Sequence, residues 1–251
     1  MTIHTFYHDD ESKRTAKEYH SEIEKKLKQL YPISNPSVTL SSHGGHWSRG
    51  EVSEKHHTFT IFDAIQNMSG SGNNQRGKYK SAYMKQHFPL EQCEAIIKNL
   101  KRVPEGLTMA DMKDSCVQID TFGGRINDFS PKDTALAQRS YKVKLQFQNH
   151  WADEKKDEFH LGWIRDFYHK DMYGKYGGIP DPSAPGGEQM FEGCYYNYPD
   201  VDLNDYGLDK AMTLYFGVNY EEADRNLIDV KRRWDPTNFF YHAQSIPVRD
   251  A

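Results

Sequence analysis

The sequence predicts an α+β protein in which an antiparallel β-sheet is covered by helices on one face. Two segments, 115–124 and 141–147, have the composition of strands, and the second alternates apolar and polar residues strictly. Four longer segments repeat apolar residues at spacings of three and four, as amphipathic helices do. Strands and helices do not alternate regularly along the chain, which favours α+β over a parallel α/β sheet.

The first 80 residues predict one helix, two short strands and a loop. Apolar residues stand three or four apart between residues 11 and 30, and Pro32 ends that helix. Runs at 37–41 and 57–62 have strand composition. Residues 66–80 are rich in Gly, Asn and Ser without periodicity, so they are predicted to form a surface loop.

The middle of the chain predicts a helix and the two clearest strands. Pro89 opens a helix that runs to Leu100. Its predicted buried side holds Leu90, Cys93, Ile97 and Leu100. In 141–147 the apolar residues alternate with Lys142, Lys144 and Gln146, which predicts one buried face and one face in solvent. The intervening 133–139 is expected to belong to the connection between the strands.

Two further helices are predicted in the last hundred residues. The first spans 151–173 and ends before Gly177; its predicted buried residues are Phe159, Trp163, Phe167 and Met172. The second spans 223–234 and stops at Pro236. Its apolar stripe consists of Ala223, Leu227, Val230 and Trp234.

Composition excludes several classes of protein. With 36 acidic and 32 basic residues the net charge is −4, and no dense basic stripe marks a nucleic-acid partner. Residues 1–20 lack the apolar core of a signal peptide and no apolar run is long enough to span a membrane, so a cytoplasmic protein is expected. Three cysteines without CxxC spacing indicate neither a disulfide framework nor a zinc site.

Several segments together resemble one family. They read RGKYKSAYM at 76–84, SCVQIDTFGGRIN at 115–127, DTALAQR at 133–139, and GCYYNYPDVDL followed by LYFGVN and WDPTNFF within 193–247. In this order they are similar to the substrate domain and carboxyl-terminal segment of FAD-linked oxidases of the berberine-bridge-enzyme type.

The resemblance implies a domain organisation. We expect one substrate-type domain over 1–251, with an atypical amino-terminal segment at 1–59, a core at 60–206 and the family's carboxyl-terminal segment at 207–251. The family's flavin-binding domain, which precedes the substrate domain, is not recognisable in the sequence. FAD is therefore expected either from a partner domain or not at all.

The resemblance also implies site residues. Tyr198 stands where many family members keep a catalytic base, with Tyr195 and Arg139 as further catalytic candidates. A phenol has a reference pKa of about 10, so it accepts a proton at neutral pH only if a cation or hydrogen-bond donors stabilise the phenolate. Tyr195 is the candidate donor. In an ideal strand, residues three apart face opposite sides, so the two tyrosines share a site only where the strand is bulged or twisted.

Cofactor contacts are implied at four positions: Asn197, Asn219, Asn238 and His46. The segment SSHGGHWSRG resembles the family's flavin-attachment motif at His46. However, Ser42 or His43 replaces the expected arginine, and Trp47 replaces serine. Clustered histidines in this polar loop are interpreted as solvated rather than as a metal site.

Three functions remain open at this point. The chain is interpreted first as the substrate-binding half of a flavin oxidoreductase acting on a small organic or secondary-metabolite substrate. Its expected partner is then a flavin-domain protein or a second copy of itself. The alternatives are a flavin-free cyclase or isomerase that reuses the aromatic pocket for proton transfer, and a non-catalytic binding protein. Thirteen per cent aromatic residues suffice to line such a pocket.

Overall fold

The computed structural model describes residues 2–4, 25, 76–122, 124–224 and 226–248. All of these except Lys25 belong to one compact unit. The strands predicted at 37–41 and 57–62 lie outside the described residues, as does His46, and of the helix predicted at 11–30 only Lys25 is described.

The described residues form a four-stranded sheet. Its strands are β1 (Thr2–His4), β2 (Arg76–Met84), β3 (Ser115–Thr121) and β4 (Val143–Trp151), in the spatial order β1-β3-β4-β2. β4 pairs antiparallel with both β2 and β3, and β1 adds to β3 in parallel. β3 and β4 confirm the two best strand predictions.

The loop prediction for residues 76–80 is wrong, because these residues form the first half of β2. Arg76 pairs with Trp151, and the ladder continues to Met84 opposite Val143. The polar sequence RGKYK led to the prediction of a surface loop, but its lysines point towards the protein interior. Lys80 is fully buried there, because carboxylates from a later segment neutralise it.

Between residues 76 and 248, the described residues form four α-helices that accompany the sheet. They are α1 (Leu90–Lys101), α2 (Asp157–Arg165), α3 (Leu208–Phe216) and α4 (Leu227–Trp234), and a π-helical stretch, Asp166–Met172, continues α2. Short 3₁₀ turns cover Asp111–Asp114, Gly124–Asp128, Glu154–Lys156, Gly174–Tyr176, Val201–Tyr206 and Gly217–Asn219. In this part of the chain no helix has both the length and the apolar character needed to cross a bilayer.

The core lies between one face of the sheet and the helices α1 and α2, which confirms the predicted α+β class with helices on one face. Phe147 of β4 is buried at its centre. Its ring contacts those of Phe167 and Tyr168 edge-on, with centroids 5.1 and 5.2 Å apart. Such edge-to-face pairs are a preferred aromatic geometry.

The predicted buried side of α1 is wrong. Leu90 is 72% exposed, and the buried residues of the helix are Gln92, Ala95, Ile96 and Asn99. Two of these are polar because they bind the end of the π-helical stretch. Gln92 donates to the carbonyl of Met172, and Asn99 donates to Asp171. Apolar spacing alone therefore selects the wrong side of this helix.

The helix predicted at 151–173 begins later than expected, because Trp151 is the last residue of β4. Asp153 accepts a hydrogen bond from the backbone N–H of Lys155 and marks the start of the helical region. Trp163, Phe167 and Met172 are buried as predicted, whereas Phe159 is largely exposed.

The last helix is also shorter than predicted. α4 begins at Leu227, where the side chain of Asn226 accepts from the N–H of Asp229 and caps the helix. Ile228 is buried, but Val230 and Trp234 of the predicted stripe are exposed. Of the same stripe, Ala223 is buried and Leu227 is half-buried, so the described residues cover its first half and leave its second half exposed.

Candidate active site

The face of the sheet opposite the helices is polar and carries three parallel rows of side chains. Cross-strand register places Tyr83, Lys144 and Asp120 in one row and Ser81, Gln146 and Gln118 in the next. Tyr79, Gln148 and Cys116 form the third row.

The prediction that Lys144 and Gln146 meet solvent is wrong: both are buried. The segment 195–198 lies over this face, and the Lys144 ammonium sits about as far from the ring centroid of Tyr195 (5.1 Å) as from that of Tyr198 (5.0 Å). The sequence shows alternation within β4 but not this cover, which comes from a later part of the chain.

Tyr195 and Tyr198 are brought together by a turn and not by a strand. The N–H of Tyr198 donates to the carbonyl of Tyr195 at 3.0 Å, which reverses the chain direction. The two rings then meet edge-on with their centroids 4.9 Å apart. The expected strand with a bulge is thus replaced by a turn that serves the same purpose.

Lys144 is the charged group at the centre of the site. Its ammonium lies 2.9 Å from Asp120 Oδ2 and donates to the Tyr198 hydroxyl at 3.3 Å. Burial alone would lower the pKa of Lys144, but the hydrogen bond and charge of Asp120, with a smaller contribution from Tyr198, outweigh burial and raise the pKa. The ammonium therefore stays protonated beside the phenol at neutral pH.

The remaining polar groups of this face form a hydrogen-bonded chain that ends at Asp120. Gln148 donates to both Gln146 and Gln118, at 3.0 and 3.1 Å. Gln118 in turn donates to both carboxylate oxygens of Asp120, at 3.0 and 3.2 Å. These side chains hold one another in place and present amide and carboxylate groups towards the open side of the sheet.

Tyr195 has a different hydrogen bond from the one expected. Its hydroxyl accepts from the side chain of Asn197 at 2.7 Å, and its backbone N–H donates to Ser81 Oγ at 2.9 Å. The group that donates to the Tyr198 hydroxyl is Lys144. In this structure Tyr195 therefore anchors the turn and covers Lys144 with its ring.

Arg139 lies in the connection between β3 and β4. Its guanidinium binds Thr134 and lies over the ring of Phe129, and its backbone N–H donates to Glu192. The neighbouring Gln138 donates to the carbonyls of Leu214 and Tyr215. These contacts fix the connecting segment, and the catalytic role of Arg139 stays a prediction.

The predicted cofactor residues have three different environments. Asn197 is exposed in the turn beside Tyr198. Asn219 is buried, and its amide donates to the carbonyls of Pro131, Thr134 and Ala135, so it holds the connecting segment. Asn238 has a positive φ of 55°, a conformation that asparagine tolerates better than most residues.

Sequence reasoning missed Lys144 and Asp120. The sequence pattern that could have found them is the spacing of polar residues in the two predicted strands. Lys144 and Gln146 are two apart in one strand and share a face, and Gln118 and Asp120 do the same in the other strand. Pairing the two strands places a lysine opposite an aspartate on a polar face. Without the covering turn, however, such a face is ordinarily solvated.

Comparison with known proteins adds the family. The family model "Berberine and berberine like" matches residues 194–247. The hexose oxidase of Chondrus crispus is 42% identical over 99% of this chain and 48% of its own length. The aclacinomycin-N/aclacinomycin-A oxidase of Streptomyces galilaeus is 31% identical over 72% of this chain and 31% of its own length.

A solved structure agrees with these relatives. CrmK, a flavoenzyme of caerulomycin biosynthesis, is 31% identical, and the structures superpose with a TM-score of 0.62 over 75% of this chain and 36% of CrmK. The chain thus spans half or less of the length of the relatives that it matches. Sequence and fold therefore agree in their similarity to the berberine-bridge-like FAD-linked oxidases, and the chain carries the berberine-bridge-like segment of that family at residues 194–247.

Proposed function

We propose that this chain is the substrate-binding and proton-accepting part of an FAD-linked oxidase that acts on a hydroxyl group of a carbohydrate. Tyr198 is the base, and Lys144 is the cation that stabilises its phenolate. The observation that carries the proposal is the Lys144 ammonium held between Asp120 and the Tyr198 hydroxyl.

The chemistry requires a base at this position. Oxidation of a carbinol breaks its C–H and O–H bonds and forms a carbonyl, with two electrons leaving as hydride and the hydroxyl proton leaving separately. FAD supplies the hydride acceptor when bound. A phenolate next to an ammonium in a partly buried site can take the proton, and the ammonium favours that charged form over the neutral phenol.

The polar rows of the sheet support a hydroxyl-rich substrate. Gln118, Gln146 and Gln148 offer both donors and acceptors, and Asp120 offers acceptors, on a face that leads to Tyr198. Each sugar hydroxyl both donates and accepts hydrogen bonds, so it can bind the carbonyl oxygen or the NH₂ group of a glutamine amide. The 42% identity with a hexose oxidase supports the same substrate class.

The surroundings of Tyr198 fit a flat, amide-bearing cofactor ring. Tyr196 is exposed beside it and stacks on Phe216, with centroids 5.7 Å apart, and Asn197 is exposed on the same turn. An aromatic surface next to an amide suits an isoalloxazine ring. We propose that these two residues lie against FAD, while Tyr198 and Lys144 lie against the substrate.

A flavin-binding domain is the proposed partner of an aromatic surface near the end of the chain. This aromatic surface comprises Trp234, Phe239, Phe240 and Tyr241, whose exposed fractions lie between 72% and 80%. Contiguous apolar groups of this kind mark interfaces. The partner domain belongs either to a longer form of this chain or to a separate protein, and a second copy of the chain is the alternative occupant.

Anaerobic reduction of the flavin tests the proposed activity. The flavin-loaded protein is mixed with hexoses, and with analogues in which one hydroxyl is replaced by hydrogen or methylated. We expect hexoses to bleach the flavin absorption band and one modified position to abolish bleaching. If no hexose reduces a fully bound flavin, while an aromatic alcohol does, the carbohydrate assignment is wrong.

A further inference from the structure

A buried cluster of charges lies beneath β2, on the face of the sheet opposite Tyr198. This charge cluster consists of Lys78, Lys80, Arg165, Asp200 and Asp202. Lys78 and Lys80 each bind both carboxylates, with N–O distances of 2.6 to 3.1 Å. Arg165 binds Asp202 through two nitrogens, at 2.9 and 3.0 Å. A divalent cation has no place here, since ammonium and guanidinium groups already occupy the carboxylates.

Lys80 and the two carboxylates of the charge cluster are buried. The side chain of Lys80 is fully buried and that of Asp200 is 2% exposed. Taking such ions out of water costs about as much as their attraction returns, so apolar residues of similar size would stabilise the fold as well. Buried ion pairs of this kind can instead define one conformation of the segments that they join.

The segment joined by the charge cluster is the turn that carries Tyr198. Residues 195–200 contain no helix or strand, so no ladder of backbone hydrogen bonds fixes them. β2 is the edge strand of the sheet, and the segment crosses that edge. At one end, the N–H of Tyr195 binds Ser81 Oγ on the polar face. At the other end, Asp200 binds Lys80 on the opposite face.

Adjacent residues of one strand therefore hold both ends of the turn. Ser81 and Lys80 point to opposite faces because side chains alternate along a strand. Asp200 is held further by its backbone, since its N–H donates to the Tyr215 hydroxyl and its carbonyl accepts from Gln244. Only Pro199, with its restricted φ, separates Asp200 from Tyr198.

We propose that the charge cluster is a positioning device, in which Lys78, Lys80 and Arg165 fix Asp200 and thereby set the distance between the Tyr198 hydroxyl and the Lys144 ammonium. This inference rests on the proposed role of Tyr198 as the base. In this proposal the members of the charge cluster are positioning residues, since they act on the site only through the turn and touch neither substrate nor cofactor.

Asp200→Asn tests the device, because it keeps the shape of the side chain and removes the charge that both lysines bind. The matched control is Asp171→Asn, which removes a part-buried carboxylate bound to Lys98 and Asn99, away from the turn. We expect Asp200→Asn to lower kcat about tenfold or more, since a displacement of about 1 Å in a catalytic group can cost a hundredfold. KM should change less than kcat, and the control should keep both.

A second readout does not depend on flavin or turnover. Carbon-13 at tyrosine Cζ reports the ionisation of each phenol by nuclear magnetic resonance, and the Tyr198 signal is the one missing from Tyr198→Phe. We expect Asp200→Asn to change the chemical shift of this signal at neutral pH, because the Lys144 ammonium lies further from the phenol oxygen. If the chemical shift and kcat match those of the wild type while only stability falls, the positioning role is wrong.

Arg165→Met keeps the test decisive if Asp200→Asn does not fold. Arg165 is 46% exposed in its side chain, so its loss is tolerated better than a change at a buried member. We expect the same shift of the Tyr198 signal in a smaller amount, and an unshifted signal overturns the inference. If Tyr198→Phe keeps full activity, the proposed base is wrong, and the Cζ chemical shift of Tyr198 in the charge-cluster variants still decides whether the cluster positions the phenol.

Discussion

Lys144 determines what Tyr198 can do. Its ammonium is within 3.3 Å of the phenol oxygen and is kept charged by Asp120. A cation at this distance interacts favourably with negative charge that develops on the phenol oxygen. The site therefore places a charged lysine directly beside the tyrosine that we propose as the base.

Replacing Lys144 by Met should impair catalysis at neutral pH. We expect kcat to fall about ten- to a thousandfold, because the phenolate loses its cation, and the rising limb of the pH profile to move to higher pH. Lys144→Arg should recover part of the loss by keeping the charge. The measurement is kcat as a function of pH for these variants and for Lys142→Met, which removes an exposed lysine two residues away.

An unchanged pH profile in Lys144→Met would contradict the role of this lysine. Loss of activity with a shifted profile in Lys142→Met would show that the effect is not local to the site.

At the scale of single residues, the resemblance predicted the tyrosines but not their cation. Tyr195 and Tyr198 could be placed because they lie in the YYNY motif. Lys144 could not, because in sequence it is one of two lysines that alternate with apolar residues in a strand. What buries it is a turn 54 residues later, and no local pattern reports that contact.

At the scale of elements, strands were easier to predict than the buried sides of helices. β3 and β4 follow from local alternation. The buried side of α1 does not follow from its sequence, because Gln92 and Asn99 are buried to bind the end of the π-helical stretch. Of the predicted apolar side, Leu90 lies at the surface, whereas Leu100 is partly buried against the core.

Two alanine variants test this assignment of faces. Phe147→Ala should lower the free energy of unfolding by about 3–5 kcal/mol, because it leaves a cavity at the centre of the core. Leu90→Ala should change it by about 0.5 kcal/mol or less, since Leu90 is exposed. Urea denaturation measures both, and a loss at Leu90 comparable with that at Phe147 would contradict the observed face of α1.

We expect acid to destabilise the fold where α2 packs against the end of β4. His160 is buried against Trp151, with ring centroids 4.7 Å apart, and burial lowers the pKa of its imidazole. In the unfolded chain a histidine takes up a proton near pH 6.5, whereas the folded protein resists protonation until lower pH. Stability should therefore be complete above about pH 6.5 and fall as the pH drops towards the folded pKa.

The comparison of urea midpoints at pH 7 and pH 5 checks this expectation. His160→Gln should lose less stability between the two pH values than the wild type, and the exposed His87→Gln should lose as much as the wild type. Equal losses in all three proteins would assign the acid sensitivity to other groups.

At the scale of the whole molecule, the aromatic surface defined by Trp234, Phe239, Phe240 and Tyr241 is the feature that the described part of the chain does not explain by itself. The relatives of this chain are two to three times longer than the region that it matches. The sequence predicted an apolar stripe on the last helix, and the described residues leave Val230 and Trp234 of that stripe exposed.

Replacing Trp234 and Phe239 together by Ser should reduce retention of flavin. We expect the purified double variant to hold less FAD per chain than the wild type, because the proposed flavin-domain interface loses two of its rings, while urea denaturation of the sheet is unchanged. Leu90→Ser with Met109→Ser is the matched control, since both are exposed apolar residues elsewhere. Full FAD retention in the Trp234/Phe239 variant would contradict the proposed interface.

The central claim is that Tyr198 takes the proton of the substrate hydroxyl. The most direct measurement is the single-turnover rate of flavin reduction by a hexose in wild type and Tyr198→Phe, with Tyr176→Phe as the control for removing a phenol hydroxyl elsewhere. We expect a rate lower by about 10²- to 10⁴-fold in Tyr198→Phe, at unchanged FAD content, and no comparable loss in the control. Flavin reduction at the wild-type rate in Tyr198→Phe would contradict the central claim.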